Sequence, residues 1–394
     1  MTQSSSGDNP VFRLPERLLL GPGPSPVPAR VLKAMATPPI GYLDPAWFEV
    51  MAHAQGQLRR IYNTNNARTL PISGTGTMGM QACVAALVEE GDNVVVGVNG
   101  YFGNRLVDMA ERLGANVTQV ENVWGRAIDA GALEAAIKKV NPKVVMLVHA
   151  ETSTGVRQPM DDVTRIVRDA GVMLLTDCVT SLGGVAVQLD DWGVDAAYSC
   201  TQKCLGAPPG LAPVSFSRRA VRAVAERKSK IHSFNVDIDL IDGYWTNHAY
   251  HHTPPNNMLY ALVEAMTIIE EEGLDNRIAR HQQNHLALVA GLEAMGLSMN
   301  VPAGERLPSL NAVGIPEGAD DGAVRGELLG RFGIEMGAGL GAGKGKVWRI
   351  GLMGHGSQRR NVLTILAALG TVLNHQGIAC DASGAMTAAE SAYG

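Results

Sequence analysis

The sequence predicts an α/β protein built on a largely parallel sheet covered by helices on both faces. Three observations carry that reading. Short, continuous apolar runs recur along the chain, among them NVVVGV, KVVMLVHA and VMLLTDCV, and strands without polar alternation are buried on both faces. Amphipathic stretches separate them, as in MGMQACVAALVEEGD, GNRLVDMAERLGA and DDVTRIVRDAG, which is the βαβ rhythm. The 394 residues include 45 glycines and only 5% aromatics, a balance suited to tight βα turns and close helix-on-strand packing.

In chain order, residues 1–16 are polar and read as an arm that drapes over the body or a partner subunit. LLLGPGPSPVPARVLKAM then reads as a short strand, a Pro/Gly loop and a helix. A helix ending at Gly91, the strand NVVVGV and a second helix follow. KVVMLVHA, DDVTRIVRDAG, VMLLTDCV, DAAYSC and APVSFS continue as strand, helix and three strands. After about residue 257 the helical stretch NMLYALVEAMTIIEEEGLDNRIARHQQNHLALVAGLEAMG bridges to a region of different rhythm. There LNAVGIP, RFGIEMG and KVWRIGLM read as strands and NVLTILAALGTVLNHQ as a closing helix, giving a smaller α+β domain. The expected organisation is an arm at 1–16, a large domain at 17–270, a small domain at 271–376 and a flexible Ala/Ser/Gly-rich tail at 377–394.

A formal net charge of −5 supplies no global positive field for nucleic acid or an anionic membrane. The N-terminus lacks a basic segment leading into an apolar one, and no apolar run approaches the roughly 18 residues of a membrane helix. Five cysteines, an odd number, fit a reducing compartment better than a disulfide framework. The cytoplasm is the expected location.

Two constellations bear chemistry. Residues 74–79, GTGTMG, open a helix and match the dinucleotide pattern G-x-G-x-x-G, so nicotinamide-dependent hydride transfer has to be weighed. The following strand ends in Asn99 and Gly100 rather than in the acidic residue that would hold a ribose hydroxyl. What survives is a helix N-terminus that suits a phosphate, against the plainer reading of a tight turn without ligand. The second constellation is Asp177, at the end of VMLLTDCV, with Lys203 after the next strand. A lysine for a Schiff base and a carboxylate for a pyridine nitrogen are what a pyridoxal phosphate site requires. The plainer readings are a solvated loop lysine and a capping aspartate.

LLLGPGPS, ISGTGTMGMQA, NGYFGNR, HAETSTGVRQP, TDCVTSLGGV, SCTQKCLGAPPG, YHHTPP and KVWRIGLMG occur in this order between residues 17 and 376. In that order and spacing the chain resembles the class V, fold type I aminotransferases, closest to the alanine–glyoxylate and serine–glyoxylate types. The resemblance implies a large domain with a mostly parallel, seven-stranded sheet and a smaller C-terminal domain. It implies pyridoxal 5'-phosphate as cofactor, with Lys203 as the Schiff-base lysine and proton shuttle and Asp177 on the pyridinium nitrogen. Thr75, Gly76, Thr77 and Gln202 would hold the phosphate. Phe102 would stack on the ring where the family usually has Trp, with Thr152 at the ring hydroxyl and Val179 against the opposite face. Tyr250 and Thr253 would reach the phosphate of the other subunit, which implies a homodimer, and Arg349 would bind the substrate carboxylate.

The implied reaction is ping-pong transamination from alanine or serine to glyoxylate. Related enzymes with these motifs use ureidoglycine or pyridoxamine as donor, or pyruvate as acceptor. A non-catalytic cofactor-binding protein and a nicotinamide oxidoreductase are the remaining alternatives. His251, His252, His281 and His285 lack the cysteine or H-E-x-x-H partners of a metal site and read as packing or surface residues. RRAVRAVAERKSK reads as a solvated helix, and Cys178 and Cys204 as small fillers. No metal is expected.

Overall fold

A computed structural model describes residues 9–394; the first half of the predicted arm lies outside the described residues. Seven strands form the central sheet: β1 (Arg68–Ser73), β2 (Asn93–Val98), β3 (Asn116–Glu121), β4 (Val144–Val148), β5 (Met173–Asp177), β6 (Ala196–Tyr198) and β7 (Leu211–Phe216). Their order is β1-β7-β6-β5-β4-β2-β3. Only β7 runs against its neighbours. The two-residue period of a strand explains why the apolar runs are unbroken. Val95, Val145 and Leu174 feed the core on one face, while Val94, Val96, Val144, Met146 and Leu175 feed the core on the other.

β3 has no counterpart among the strands read from the sequence, and its residues explain why. NVTQVE lies at the sheet edge, is half exposed, and carries none of the continuous apolar character of its neighbours. Two helices carry residues of the predicted site: α1 (Gly76–Leu87), between β1 and β2, and α2 (Tyr101–Arg112), after β2.

The long helical stretch is two helices, α3 (Asn256–Glu272) and α4 (Leu274–Ala294), broken at Gly273, whose φ of +82° an L side chain rarely adopts. Beyond it, β8 (Leu310–Gly314), β9 (Gly337–Ala338) and β10 (Val347–Gly351) form an antiparallel sheet in the order β8-β10-β9. Leu18 and Leu19, expected with the large domain, instead pair with Ile334 and Glu335, and Leu20 is buried in the small-domain core beside Trp348 and Ile350.

The tail is a correction to the sequence reading. Instead of a flexible segment it carries helix α6 (Ala382–Ser391), laid against α4 and against α5 (Arg359–His375). Ala385 and Ala389 are fully buried, and Tyr393 Oη donates a 2.7 Å hydrogen bond to Asn284 Oδ1. The approach is possible because small residues meet: a Cβ added to Gly370 would lie 2.6 Å from Ala382 Cβ. A segment of alanines with one methionine, Met386, reads as low complexity, yet it packs closely where the facing surface is also small. No helix among the described residues is long and apolar enough to cross a membrane.

Candidate active site

Asp177, Gln202, Lys203 and the start of α1 lie beyond the C-terminal ends of the central strands, where open α/β sheets bind ligands. Asp177 is the last residue of β5 and is 2% exposed. Its Oδ1 accepts the Val179 N–H at 2.8 Å, and its Oδ2 accepts the Tyr198 hydroxyl at 2.6 Å. Burial pushes the Asp177 carboxyl up to about 7, against the pull of those two donors. A cation placed beside it would restore its charge.

Thr75 is the N-cap residue of α1, and no side chain caps the helix, so its first N–H groups remain free for an anion. Gly76 lies so close to the neighbouring turns that a Cβ there would be 3.1 Å from Cys200 Cβ and 3.4 Å from Val179 Cγ2. Thr77 Oγ1 accepts a 3.1 Å hydrogen bond from Arg105, whose guanidinium also lies 4.9 Å from the Phe102 ring centroid. Gln202 Oε1 is buried without a partner. Turning that amide over presents its NH2 group to the same space.

Lys203 follows β6 in a turn gripped by the Gly/Pro segment near the N-terminus. Ser25 N–H donates to Gln202 O at 2.9 Å, Ser25 Oγ donates to Lys203 O at 2.7 Å, and Lys203 Nζ donates to Pro22 O. A Cβ on Gly23 would lie 2.7 Å from Lys203 Nζ, so only glycine leaves the amine its place. Burial lowers the Lys203 pKa from its ordinary value, which favours the uncharged, nucleophilic amine.

Thr152 Oγ1 shares a hydrogen bond with Thr180 Oγ1, in the loop that follows Asp177. The Thr152 carbonyl accepts Arg349 Nη1 at 3.1 Å, while Arg349 Nε donates to Ala338 O at 2.7 Å. Arg349 is 8% exposed, and among the described residues no carboxylate lies within ion-pair distance of it. Phe102 sits at the first turn of α2. None of these contacts involves Tyr250 or Thr253. Those two bond each other at 3.1 Å, and Tyr250 is 54% exposed, packed on Tyr42 and Tyr244.

Sequence reasoning missed Tyr198 and Glu151. Glu151 is fully buried and accepts the N–H groups of Phe102 and Gly103 at 3.0 and 3.3 Å and that of Ser153 at 2.9 Å. It thereby caps the first turn of α2, which carries Phe102. Both residues stand inside segments that the sequence does mark, DAAYSC and HAETSTG. Their roles are set by burial, which has no local sequence signal.

A neutral-prone carboxyl, an uncapped helix start, an orphaned amide and a buried amine stand on neighbouring turns at one end of the seven-stranded sheet, and their chemistry fits a phosphorylated pyridine aldehyde. Residues 18–353 match the family model for aminotransferase class-V, and the chain belongs to that family. The (S)-ureidoglycine–glyoxylate transaminase of Bacillus subtilis is 38% identical over 398 aligned positions, covering 96% of each chain. The alanine–glyoxylate aminotransferase of Drosophila melanogaster is 37% identical, over 94% of this chain and 96% of its own. The crystal structure of alanine–glyoxylate aminotransferase from Nostoc sp. superposes with a TM-score of 0.90 at 47% identity, over 93% of this chain and all of the other. The protein is therefore an aminotransferase of fold type I that depends on pyridoxal phosphate.

Proposed function

We propose that this aminotransferase moves the amino group of a small L-amino acid, alanine or serine, to glyoxylate, giving glycine and a 2-keto acid. The observation that carries the reading is the unpaired, buried guanidinium of Arg349 in the crevice that also holds Lys203. Glu151 and Glu335 act on the guanidinium only from beyond ion-pair distance, and a substrate carboxylate can supply the close, bidentate partner it lacks. Alanine, serine and glyoxylate each carry a carboxylate next to the reacting carbon.

When bound, pyridoxal phosphate would supply an electrophilic aldehyde and a ring that withdraws electrons from the substrate α-carbon. Thr75, Gly76, Thr77 and Gln202 hold the phosphate group at the start of α1. Asp177 pairs with the ring nitrogen, and Tyr198 and the Val179 N–H keep its carboxylate oriented. Phe102 and Val179 would flank the ring, and Thr152 would contact the ring hydroxyl. Lys203 Nζ takes the proton from the α-carbon as general base and returns a proton in the reverse half-reaction. Arg349 orients the carboxylate so that the α-hydrogen faces Lys203.

Tyr250 and Thr253 serve the phosphate of a second copy. Exposed Tyr42, Leu43, Phe234, Leu240 and Tyr250 support a homodimer that covers them. The five free cysteines support a reducing, cytoplasmic location. The 38% identical Bacillus relative, named for ureidoglycine, favours a second reading in which ureidoglycine is the donor. A panel of alanine, serine, ureidoglycine and pyridoxamine against glyoxylate and pyruvate, read by product formation, tests both. Turnover of alanine or serine with glyoxylate supports the first. Turnover of ureidoglycine alone replaces it with the second.

A further inference from the structure

At the break between α3 and α4, a buried arginine outside the crevice gathers the loops that carry the site. Arg277 lies in the first turn of α4 and is 3% exposed. Its Nε donates to Gly183 O at 2.9 Å, in the loop that descends from Asp177, and its Nη2 donates to Cys204 O at 2.8 Å, the residue after Lys203. Its Nη1 donates to Glu272 Oε2 at 2.9 Å, at the end of α3. Each nitrogen of the fork thus has a partner, two large-domain carbonyls and one carboxylate.

The next turn of the same helix grips the small domain. Arg280 bonds both oxygens of Glu272, at 2.6 and 3.0 Å, and donates to Gly354 O at 3.2 Å. His281 Nε2 accepts the Gly354 N–H at 2.9 Å. Gly354 stands in the turn that follows β10, the strand carrying Arg349, and a Cβ on it would lie 2.8 Å from Cys204 O. A cavity of about 290 Å3 borders Glu272, Arg277, Arg280 and His355, so one side of the cluster is not packed against core.

We infer that Arg277 is a positioning residue that fixes Arg349 of the small domain relative to Lys203 of the large domain. The inference rests on the reading of Arg349 as the carboxylate site. Glu272 is the shared anchor: it ties the arginine that holds the lysine loop to the arginine that holds the turn after β10. Losing the Arg277 fork frees Gly183 and Cys204 from α4, and the spacing between the amine and the guanidinium is no longer set. A substrate whose amine is held beside Lys203 then reaches the guanidinium poorly with its carboxylate, so its binding weakens in the ground and transition states alike. Thr75, Gly76 and Thr77 at the start of α1 belong to a different element and keep their hold on the phosphate, while Gln202 lies in the loop that is freed.

The test is Arg277→Met in the holoenzyme, with Arg349→Lys in parallel, and with Glu272→Gln as a milder variant should Arg277→Met fail to fold. The KM for glyoxylate and for the amino donor is expected to rise about tenfold in Arg277→Met, with kcat and cofactor retention changed far less. Hydrogen exchange at residues 204–207 and 354–357 is expected to quicken. Glu272→Gln is expected to move the same quantities in the same direction. Wild-type KM for both substrates in Arg277→Met, or in Glu272→Gln if only that variant folds, overturns the inference when Arg349→Lys is impaired. If Arg349→Lys also keeps a wild-type KM, the carboxylate assignment falls and this inference with it.

Discussion

Asp177 and Tyr198 face each other across neighbouring parallel strands, and the Tyr198 hydroxyl donates a 2.6 Å hydrogen bond to Asp177 Oδ2. The pair shows how the sheet register prepares a site. A carboxyl at a strand end is held by a donor from the next strand, and burial raises it to about 7. The group is thus poised to be neutral until a ring cation arrives.

That poise has a pH signature. The folded-state value lies above the ordinary value of 3.8, so between roughly pH 4 and 7 the folded protein binds more protons than the unfolded chain. The stabilisation belongs to the acid side and is lost as pH rises through about 7, an effect of at most about 4 kcal/mol. In cofactor-free protein, thermal melts from pH 5 to 8 should therefore fall more steeply for wild type than for Asp177→Asn. Parallel curves would show that Asp177 is not perturbed.

Arg349 should matter for substrates and not for the cofactor. Arg349→Ala is expected to lose on the order of 3 kcal/mol of transition-state stabilisation, roughly a hundredfold in kcat/KM for donor and glyoxylate. Arg349→Lys should also be impaired, because an ammonium cannot reproduce the planar fork. Both should retain the cofactor's absorption. Steady-state kinetics near wild type would remove Arg349 from the site.

Tyr250 lies exposed in the single chain and bonds Thr253. If the two complete a partner's phosphate site, Tyr250→Phe weakens cofactor retention, and retention falls on dilution as dimers separate. Equilibrium dialysis of the holoenzyme, paired with sedimentation, checks this. A monomer that holds the cofactor tightly contradicts it.

Truncation after Gly377 removes α6, which buries Ala385 and Ala389 and bonds Tyr393 to Asn284. The expected cost is roughly 3 kcal/mol or more, seen as a lower melting temperature. An unchanged melt would mean that the helix contributes nothing in solution.

The apolar runs make the inner strands legible because burial on both faces leaves a local record, and the site residues are legible because eight motifs stand in family order. Other features leave no such record. β3 is polar because it lies at an edge, α6 packs through alanines, and the helix break rests on one glycine in an otherwise continuous amphipathic stretch. Glu151, Tyr198 and Arg277 owe their positions to tertiary contacts with residues distant in sequence, such as Phe102, Asp177 and Cys204. A single sequence cannot express those distances.

The central claim is that Lys203 is the residue joined to the cofactor. Borohydride reduction of the holoenzyme followed by peptide mapping tests it directly. The account predicts a reduced pyridoxyl adduct on Lys203 and its loss in Lys203→Ala. An adduct on any other lysine, or none, would contradict it.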